Sequence, residues 1–159
     1  MEMELLEGEE VVLDDGNVGY RQKLTLTNKR LIYTKKEGFF TTTWNVTEEI
    51  PLEQIEEAYT DAKKVGLGLS QASFAMLKMK DGETRELNIH IGDSDSLGMM
   101  FAADTGTDFA VRTKTVCDKW VNAINQQLSA GLRLKADSQT EKLEQRIKEL
   151  EEKLKEKEK

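Results

Sequence analysis

Apolar and polar residues alternate most regularly over residues 22–36, in QKLTLTNKRLIYTKK. A period of two predicts half-buried β-strands. Asn28 and Lys29 interrupt the alternation and predict a two-residue turn, because asparagine tolerates the left-handed conformation that such a turn requires. The segment is therefore predicted to form a β-hairpin, in which the cross-strand pairs are Leu26 with Leu31 and Leu24 with Tyr33.

A second hairpin is predicted where Asp81 and Gly82 separate FAMLKMK from ETRELNI. An Asp-Gly pair between two runs of strand-forming residues is a strong signal for a two-residue turn. With that turn, the expected pairs are Phe74 with Ile89 and Met76 with Leu87.

Further short strands precede any helical pattern, and one late helix follows them. The strand candidates are Val11–Leu13, Thr43–Ile50 and Ile55–Tyr59, and Pro51 is expected to end the second of these because proline cannot donate to a ladder. In KTVCDKWVNAINQQL, apolar residues recur every three or four positions at Val116, Cys117, Trp120, Val121, Ile124 and Leu128. Strands followed by one amphipathic helix predict a mainly β barrel or sandwich with the helix packed over one opening.

A stretch without a clear period, about 91–108, separates the last strand from the helix and is interpreted as a long loop inserted in the domain. Long loops in compact domains are uncommon and often functional. Its apolar residues allow two interpretations, an adaptable partner surface or a lid against the core; they are Leu97, Met99, Met100 and Phe101.

The last part of the chain, 137–159, has the four-three-four apolar spacing and dense charge of a coiled coil. The seam residues are Leu143, Ile147, Leu150 and Leu154. This predicts a domain over 1–130 followed by a helical tail that oligomerises, and the charged end suggests a segment of a longer coil.

Several of these segments resemble the pleckstrin-homology-like superfamily, and in particular its bacterial PH, GRAM and GLUE branches. The resemblance covers about 5–128 and rests on LLEGEEVVL, LTLTNKRLIY, IPLEQIEEAY, the DG hairpin and the helix with Trp120. Its most specific part is Thr-x-x-Arg-Leu-Ile at Thr27 to Ile32. The resemblance implies two nearly orthogonal antiparallel sheets capped by a C-terminal helix. It also implies a non-catalytic module that binds proteins, phosphoinositides or, in the GLUE branch, ubiquitin.

Family members that bind phosphoinositides use basic residues in the loops between strands. The candidates here are Arg21, Lys23, Lys29, Arg30, Lys35, Lys36, Lys63 and Lys64. The alternative interpretation is that these cations are exposed charges that protect sheet edges from pairing. Trp44 likewise allows two interpretations, an exposed anchor or, as is more usual for a strand tryptophan, a core residue.

The charge of the domain and the single histidine and cysteine argue against several classes of function. The tail 137–159 carries 8 acidic and 7 basic residues, so most of the net charge of -7 belongs to the domain. An acidic domain argues against nucleic-acid binding and against bulk attachment to anionic membranes. His90 and Cys117 are the single histidine and cysteine, which excludes the usual zinc sets and a Cys-His nucleophile within one chain.

The sequence therefore predicts a cytoplasmic, non-catalytic scaffold without a cofactor or a metal, which binds a protein partner and oligomerises through its tail. The first residues have neither the basic nor the apolar part of a signal peptide. No apolar run reaches the roughly 20 residues needed to span a bilayer, so any membrane role would be peripheral. The alternative is a GLUE-like or GRAM-like trafficking adaptor that recognises a phosphoinositide, ubiquitin or both.

Overall fold

The computed structural model describes residues 3–19, 21–37, 43–65, 70–89 and 106–157. The contacts between residues divide the chain into two compact units, one up to Leu128 and one from Ser129. The elements of the described ranges are β1 (Val11–Gly19), β2 (Gln22–Thr27), β3 (Arg30–Lys36), β4 (Trp44–Pro51), a short 3-10 helix (Leu52–Gln54), β5 (Ile55–Val65), β6 (Ser70–Met79), β7 (Thr84–Glu86) and α1 (Gly106–Lys157).

The strands form two antiparallel sheets, one with the order β1-β2-β3-β4 and one with the order β5-β6-β7. Neighbours in sequence are neighbours in each sheet, so both sheets are meanders. Four strands, then three strands, then a C-terminal helix is the predicted pleckstrin-homology-like architecture, and the fold prediction is confirmed. The end of β4 at Pro51 is confirmed as well.

The first hairpin has the predicted register. Leu26 pairs with Leu31 and Leu24 pairs with Tyr33. The three leucines are completely buried, because alternation places them on the face that covers the core. This hairpin supplies the centre of the four-stranded sheet.

The second hairpin is shifted by one residue, so the predicted pairs of Phe74 with Ile89 and Met76 with Leu87 are wrong. Met76 lies opposite Glu86 instead. The cause is the turn, which contains three residues: Gly82 adopts φ +92° and the Met79 N–H donates to the Glu83 carbonyl at 2.8 Å. A left-handed glycine after a tight turn is the usual geometry of a three-residue hairpin loop. An Asp-Gly pair fits this loop as well as the two-residue one.

The predicted apolar stripe of the helix is confirmed as the face that closes the core. Cys117, Trp120, Val121 and Ile124 are buried, while Val116 and Leu128 pack at the margin. The indole of Trp120 crosses β1 at Gly16, where an added Cβ would lie 2.6 Å from its ring. Only glycine leaves room for this contact, so Gly16 and Trp120 together fix the helix on the sheet.

The helix is longer than its apolar stripe indicates. It begins at Gly106 and continues without a break through Gly131 to Lys157. The predicted loop therefore overlaps the helix at 106–108, and no described residue interrupts the helix between the stripe and the tail. A backbone that is already helical needs only one more hydrogen bond for each added residue.

Polar side chains of the helix also form hydrogen bonds with backbone groups of the second sheet. The Asn125 amide accepts from the Ala58 N–H at 3.0 Å and donates to the Ala58 carbonyl at 2.8 Å, on the outer edge of β5. On β6, the Ser73 N–H donates to Thr113 Oγ1 at 3.1 Å and the Cys117 thiol donates to the Ser73 carbonyl at 3.2 Å. Ser73 lies beyond the end of β7, so helix side chains replace the missing strand there.

Candidate interaction surfaces

A cleft of about 310 Å³ lies where β1 turns into β2. Asp14 and Asp15 line it because β1 bulges at this point: three residue steps from Leu13 to Gly16 face two steps of β2. A bulge turns side chains in a new direction, and here it brings two carboxylates to the cleft. Its lining residues are Asp14, Asp15, Gly16, Asn17, Gly19, Arg21, Gln22, Lys23 and Trp44.

Trp44 forms one wall of this cleft and is 37% exposed. The interpretation of Trp44 as a core residue is therefore wrong. It opens β4 opposite Lys36. A half-exposed indole next to cations is a surface suited to contacts with a partner.

Part of the predicted basic set converges on the same cleft. The Lys36 N–H donates to the Arg21 carbonyl at 2.9 Å, so the register of the hairpin places Arg21, Lys23 and Lys36 on one face. Two carboxylates oppose this positive charge. Lys23 Nζ lies 3.2 Å from Asp14 Oδ2, and Lys119 of the helix pairs with Asp15. The cleft is therefore mixed in charge.

Lys29 and Arg30 lie at the other end of the same hairpin, six residues from Lys23. At about 3.3 Å per strand residue this separation is roughly 20 Å. Lys63 and Lys64 belong to β5 in the second sheet. Seven of the eight predicted headgroup residues thus lie at the cleft, at the turn of the first hairpin or on β5, and Lys35, opposite Gln22, lies on the other face of the hairpin from Lys36. The turn of the first hairpin is too far from the cleft for one phosphate to contact both.

Arg30 is held within the fold by carboxylates. Its Nε and Nη2 donate to Glu9 at 2.9 Å each, and Nη1 donates to Glu49 at 2.7 Å. Nη2 also donates to the Glu4 carbonyl at 2.7 Å. The side chain of Glu9 is 0% exposed and that of Arg30 is 11% exposed. A paired geometry of this kind fixes both groups and occupies most of the guanidinium donors.

Thr27 completes this cluster. Its hydroxyl donates to Glu9 Oε1 at 2.6 Å, and its Oγ1 accepts from the Arg30 N–H at 2.9 Å. The Leu6 N–H adds a further bond to Glu9 at 2.7 Å. Burial alone would raise the pKa of Glu9, but the hydrogen bonds from Arg30, Leu6 and Thr27 outweigh burial and lower it. The Thr-x-x-Arg element therefore anchors the segment before β1 to the hairpin turn.

Two further cations have local partners. Lys29 Nζ donates to the Glu7 carbonyl. Lys63 lies 3.5 Å from Glu86 and 5.2 Å from the centre of the Phe74 ring. Among described residues, no carboxylate lies within ion-pair distance of Lys35, Lys36 or Lys64. Of these three, Lys36 is the one beside the cleft.

The loop candidates Leu97, Met99, Met100 and Phe101 lie outside the described residues, as does His90. In the described ranges no three His, Cys, Asp or Glu side chains lie close enough to hold a metal ion. Cys117 is buried, and burial raises the pKa of its thiol. No helix of the described chain is long and apolar enough to cross a membrane.

The tail unit presents its predicted seam to solvent. Leu143, Ile147 and Leu150 are 65%, 55% and 50% exposed. Leu154 lies in the same helix, but its side chain is outside the described atoms. Every described side chain from Leu132 to Lys153 is exposed, so within one chain this part of the tail buries none of its described apolar side chains.

Several structural residues were missed from the sequence. Glu9 contacts a partner 21 positions away, and nothing in a local pattern reports such a contact. Thr113 and Asn125 did leave a signal in the sequence, since these polar residues lie four and eight positions from Cys117, on the apolar face of the helix. Polar residues on the buried face of a helix need hydrogen-bond partners. The backbone groups at the edge of a short sheet need partners as well, so the two can satisfy each other.

No family model and no curated protein matches the sequence. Similar solved structures include a pleckstrin homology domain from Shewanella amazonensis SB2B, 20% identical with a TM-score of 0.34, over 67% of this chain and 88% of that chain. A DUF1696 family protein with a pleckstrin-homology domain from Shewanella loihica PV-4 is 22% identical with a TM-score of 0.35, over 67% of this chain and 83% of that chain. Both TM-scores are below 0.5, so the fold assignment rests on the strand order and helix of this chain.

Proposed function

We propose that this chain is a non-catalytic pleckstrin-homology-like interaction module that pairs with a second copy of itself through its tail and presents its domain to a protein partner. The exposed seam of Leu143, Ile147 and Leu150 carries the proposal. Apolar surface removed from water contributes about 25 cal/mol per Å². A row of half-exposed aliphatic residues on a continuous helix gains that energy only when another helix covers it.

The distribution of charge favours a protein over a membrane as the partner of the domain. The domain is acidic overall, its predicted cations are distributed over both faces of the first hairpin, its turn and β5, and Arg30 is paired with Glu9 and Glu49. Diffuse attraction to anionic lipid needs several cations on one surface. The predicted contact segment with Met99, Met100 and Phe101 remains a prediction from sequence, and so does any contact with ubiquitin.

Substitution on and off the seam tests the self-association. Ile147→Asp places a charge on the seam and is expected to weaken association of the full chain at least about tenfold, since burying one unpaired charge costs well above 1.4 kcal/mol. The control is Leu134→Asp, at a position that is 72% exposed and off the seam, which should leave association unchanged. Sedimentation velocity over a range of concentrations measures both. Equal behaviour of the two variants contradicts the proposal.

The cleft supports one alternative, recognition of a phosphorylated lipid headgroup by Arg21, Lys23 and Lys36 beside Trp44. Cations of one face can bind a phosphate at contact even when the body of the domain is acidic. Flotation with vesicles containing phosphatidylserine or single phosphoinositides decides between them. Selective phosphoinositide binding that is lost in Lys36→Ala, and kept in Lys80→Ala at the distant turn, supports the adaptor function. Absence of binding at physiological salt leaves the protein partner.

A further inference from the structure

The residues that flank the tail seam define the direction of the second helix. With Ile147 at position a of a heptad, Leu143 and Leu150 occupy positions d. An isoleucine at a with leucines at d favours a two-stranded parallel coil. From this spacing and the charges beside it, we infer that the two tails run parallel and in register. The inference rests on the self-association proposed above.

The charges beside the seam are segregated by position. Both e positions next to it are acidic, Glu144 and Glu151, whereas the g positions Arg146 and Lys153 are basic. In a parallel pair, residue g of one chain faces residue e five positions later in the other. Arg146 of each chain then faces Glu151 of the second copy, which gives two attractive pairs related by the twofold axis.

An antiparallel pair brings equal positions together instead. Residue g then faces g and residue e faces e, so that cations meet cations and carboxylates meet carboxylates. The same four side chains therefore favour one direction and oppose the other. Within one chain Arg146 pairs with Glu149 at 3.2 Å, and both side chains are more than half exposed at 68% and 58%. So exposed a local pair contributes little, and Arg146 can turn to the second helix at small cost.

Parallel tails have a consequence for the domains. Since each tail follows its domain in sequence, two parallel helices begin at the same end of the coil, and both domains are connected there. The dimer then offers two copies of one domain surface to the same target. Two weak sites joined in this way bind a repetitive target more tightly than either alone.

Charge reversal at position g distinguishes the two directions. Arg146→Glu in the full chain is expected to weaken self-association about three- to tenfold, because the introduced carboxylate would face Glu151 of the second copy. Arg146→Glu combined with Glu151→Arg should restore association to within about twofold. Lys148→Glu makes the same charge change at position b and should have almost no effect. Stronger association of Arg146→Glu would indicate antiparallel tails and overturn the inference.

A cysteine just before the seam reports direction independently. Thr140 occupies the preceding position a, so Thr140→Cys should form a disulfide with itself under mild oxidation only when the helices are parallel and in register. The wild-type chain is the control, because its buried Cys117 should not react. A variant that sediments as a dimer but does not crosslink overturns the parallel arrangement and leaves self-association standing. A wild-type chain that stays monomeric at every concentration overturns both.

Discussion

The domain and the tail use charged and apolar residues in opposite ways. In the domain, apolar side chains from both sheets and the helix meet in one core, and no described side-chain polar atom is buried without a hydrogen-bond partner. In the tail, Leu143, Ile147 and Leu150 face solvent. The domain thus buries its apolar side chains and pairs its buried polar groups within one chain, whereas the apolar seam of the tail would be buried only by a second helix.

The contrast extends to the charged groups. Arg30 is nearly buried between Glu9 and Glu49, and it joins the N-terminal segment to the hairpin. Arg146 is two-thirds exposed with a single local pair. The same residue type therefore has different surroundings in the two regions: in the domain an arginine stabilises the fold, and in the tail an exposed arginine is, by the inference above, expected to select the direction of a second helix.

The two tryptophans give the largest expected effect on the domain. Trp120→Ala should lower the free energy of unfolding by about 3 to 5 kcal/mol, the usual cost of removing a large buried aromatic residue. Trp44→Ala, at the rim of the cleft, should cost less than about 1 kcal/mol. Urea denaturation of both variants measures the difference. A Trp44→Ala loss as large as that of Trp120→Ala would contradict the assignment of Trp44 to the surface.

Removing the buried carboxylate has the next largest effect. Glu9→Gln leaves Arg30 with Glu49 and one carbonyl, so the loss should be about 2 to 3 kcal/mol, below the 3 to 5 kcal/mol seen when a buried charge loses its only partner. Glu10→Gln, one residue along and exposed, is the matched control and should stay close to the wild type. Unfolding at neutral pH gives both values.

The same variant makes a prediction about pH. Because folding lowers the pKa of Glu9 from its ordinary 4.5, its ionised form stabilises the fold above that value, and this stabilisation is lost as the pH falls below it. The difference in unfolding free energy between wild type and Glu9→Gln should therefore shrink as the pH falls below about 4.5. A difference that does not change with pH would show that folding does not lower the pKa of Glu9.

Gly131→Ala has the smallest expected effect and bears on the boundary between the two regions. A Cβ at Gly131 meets nothing within 4 Å, and the residue lies inside the helix. Alanine should therefore raise helix stability by about 0.5 to 1 kcal/mol. Thermal unfolding followed by far-ultraviolet circular dichroism should show a small gain for the tail. A loss of helicity would mean that the helix breaks at this glycine.

Local patterns predicted the elements better than their contacts. The alternation around Asn28 specified both the first hairpin and its register, since a one-residue slip would have exposed Leu24 and Leu26. The Asp81-Gly82 turn was ambiguous, because two loop lengths fit the same two residues and few apolar residues after it opposed a slip. Periodicity also located the buried face of the helix.

The candidate surfaces were less accessible to sequence reasoning. From the sequence, Arg30 is expected to be a basic residue beside a turn. Only its ion pair with Glu9, 21 positions earlier, shows that it stabilises the fold. Asp14 and Asp15 reach the cleft through a bulge that no alternation indicates. The tail differs in that a helical seam and its flanking charges are both periodic, and its association through that seam stays a prediction.

Sedimentation equilibrium of the full wild-type chain over a wide range of concentrations tests the contrast between domain and tail most directly. We expect an average mass that rises with concentration from 18.1 kDa towards twice that value, and a rise that Ile147→Asp abolishes while the domain remains folded. A mass of one chain at every concentration would show that the tail does not self-associate, which would contradict the proposed difference between domain and tail.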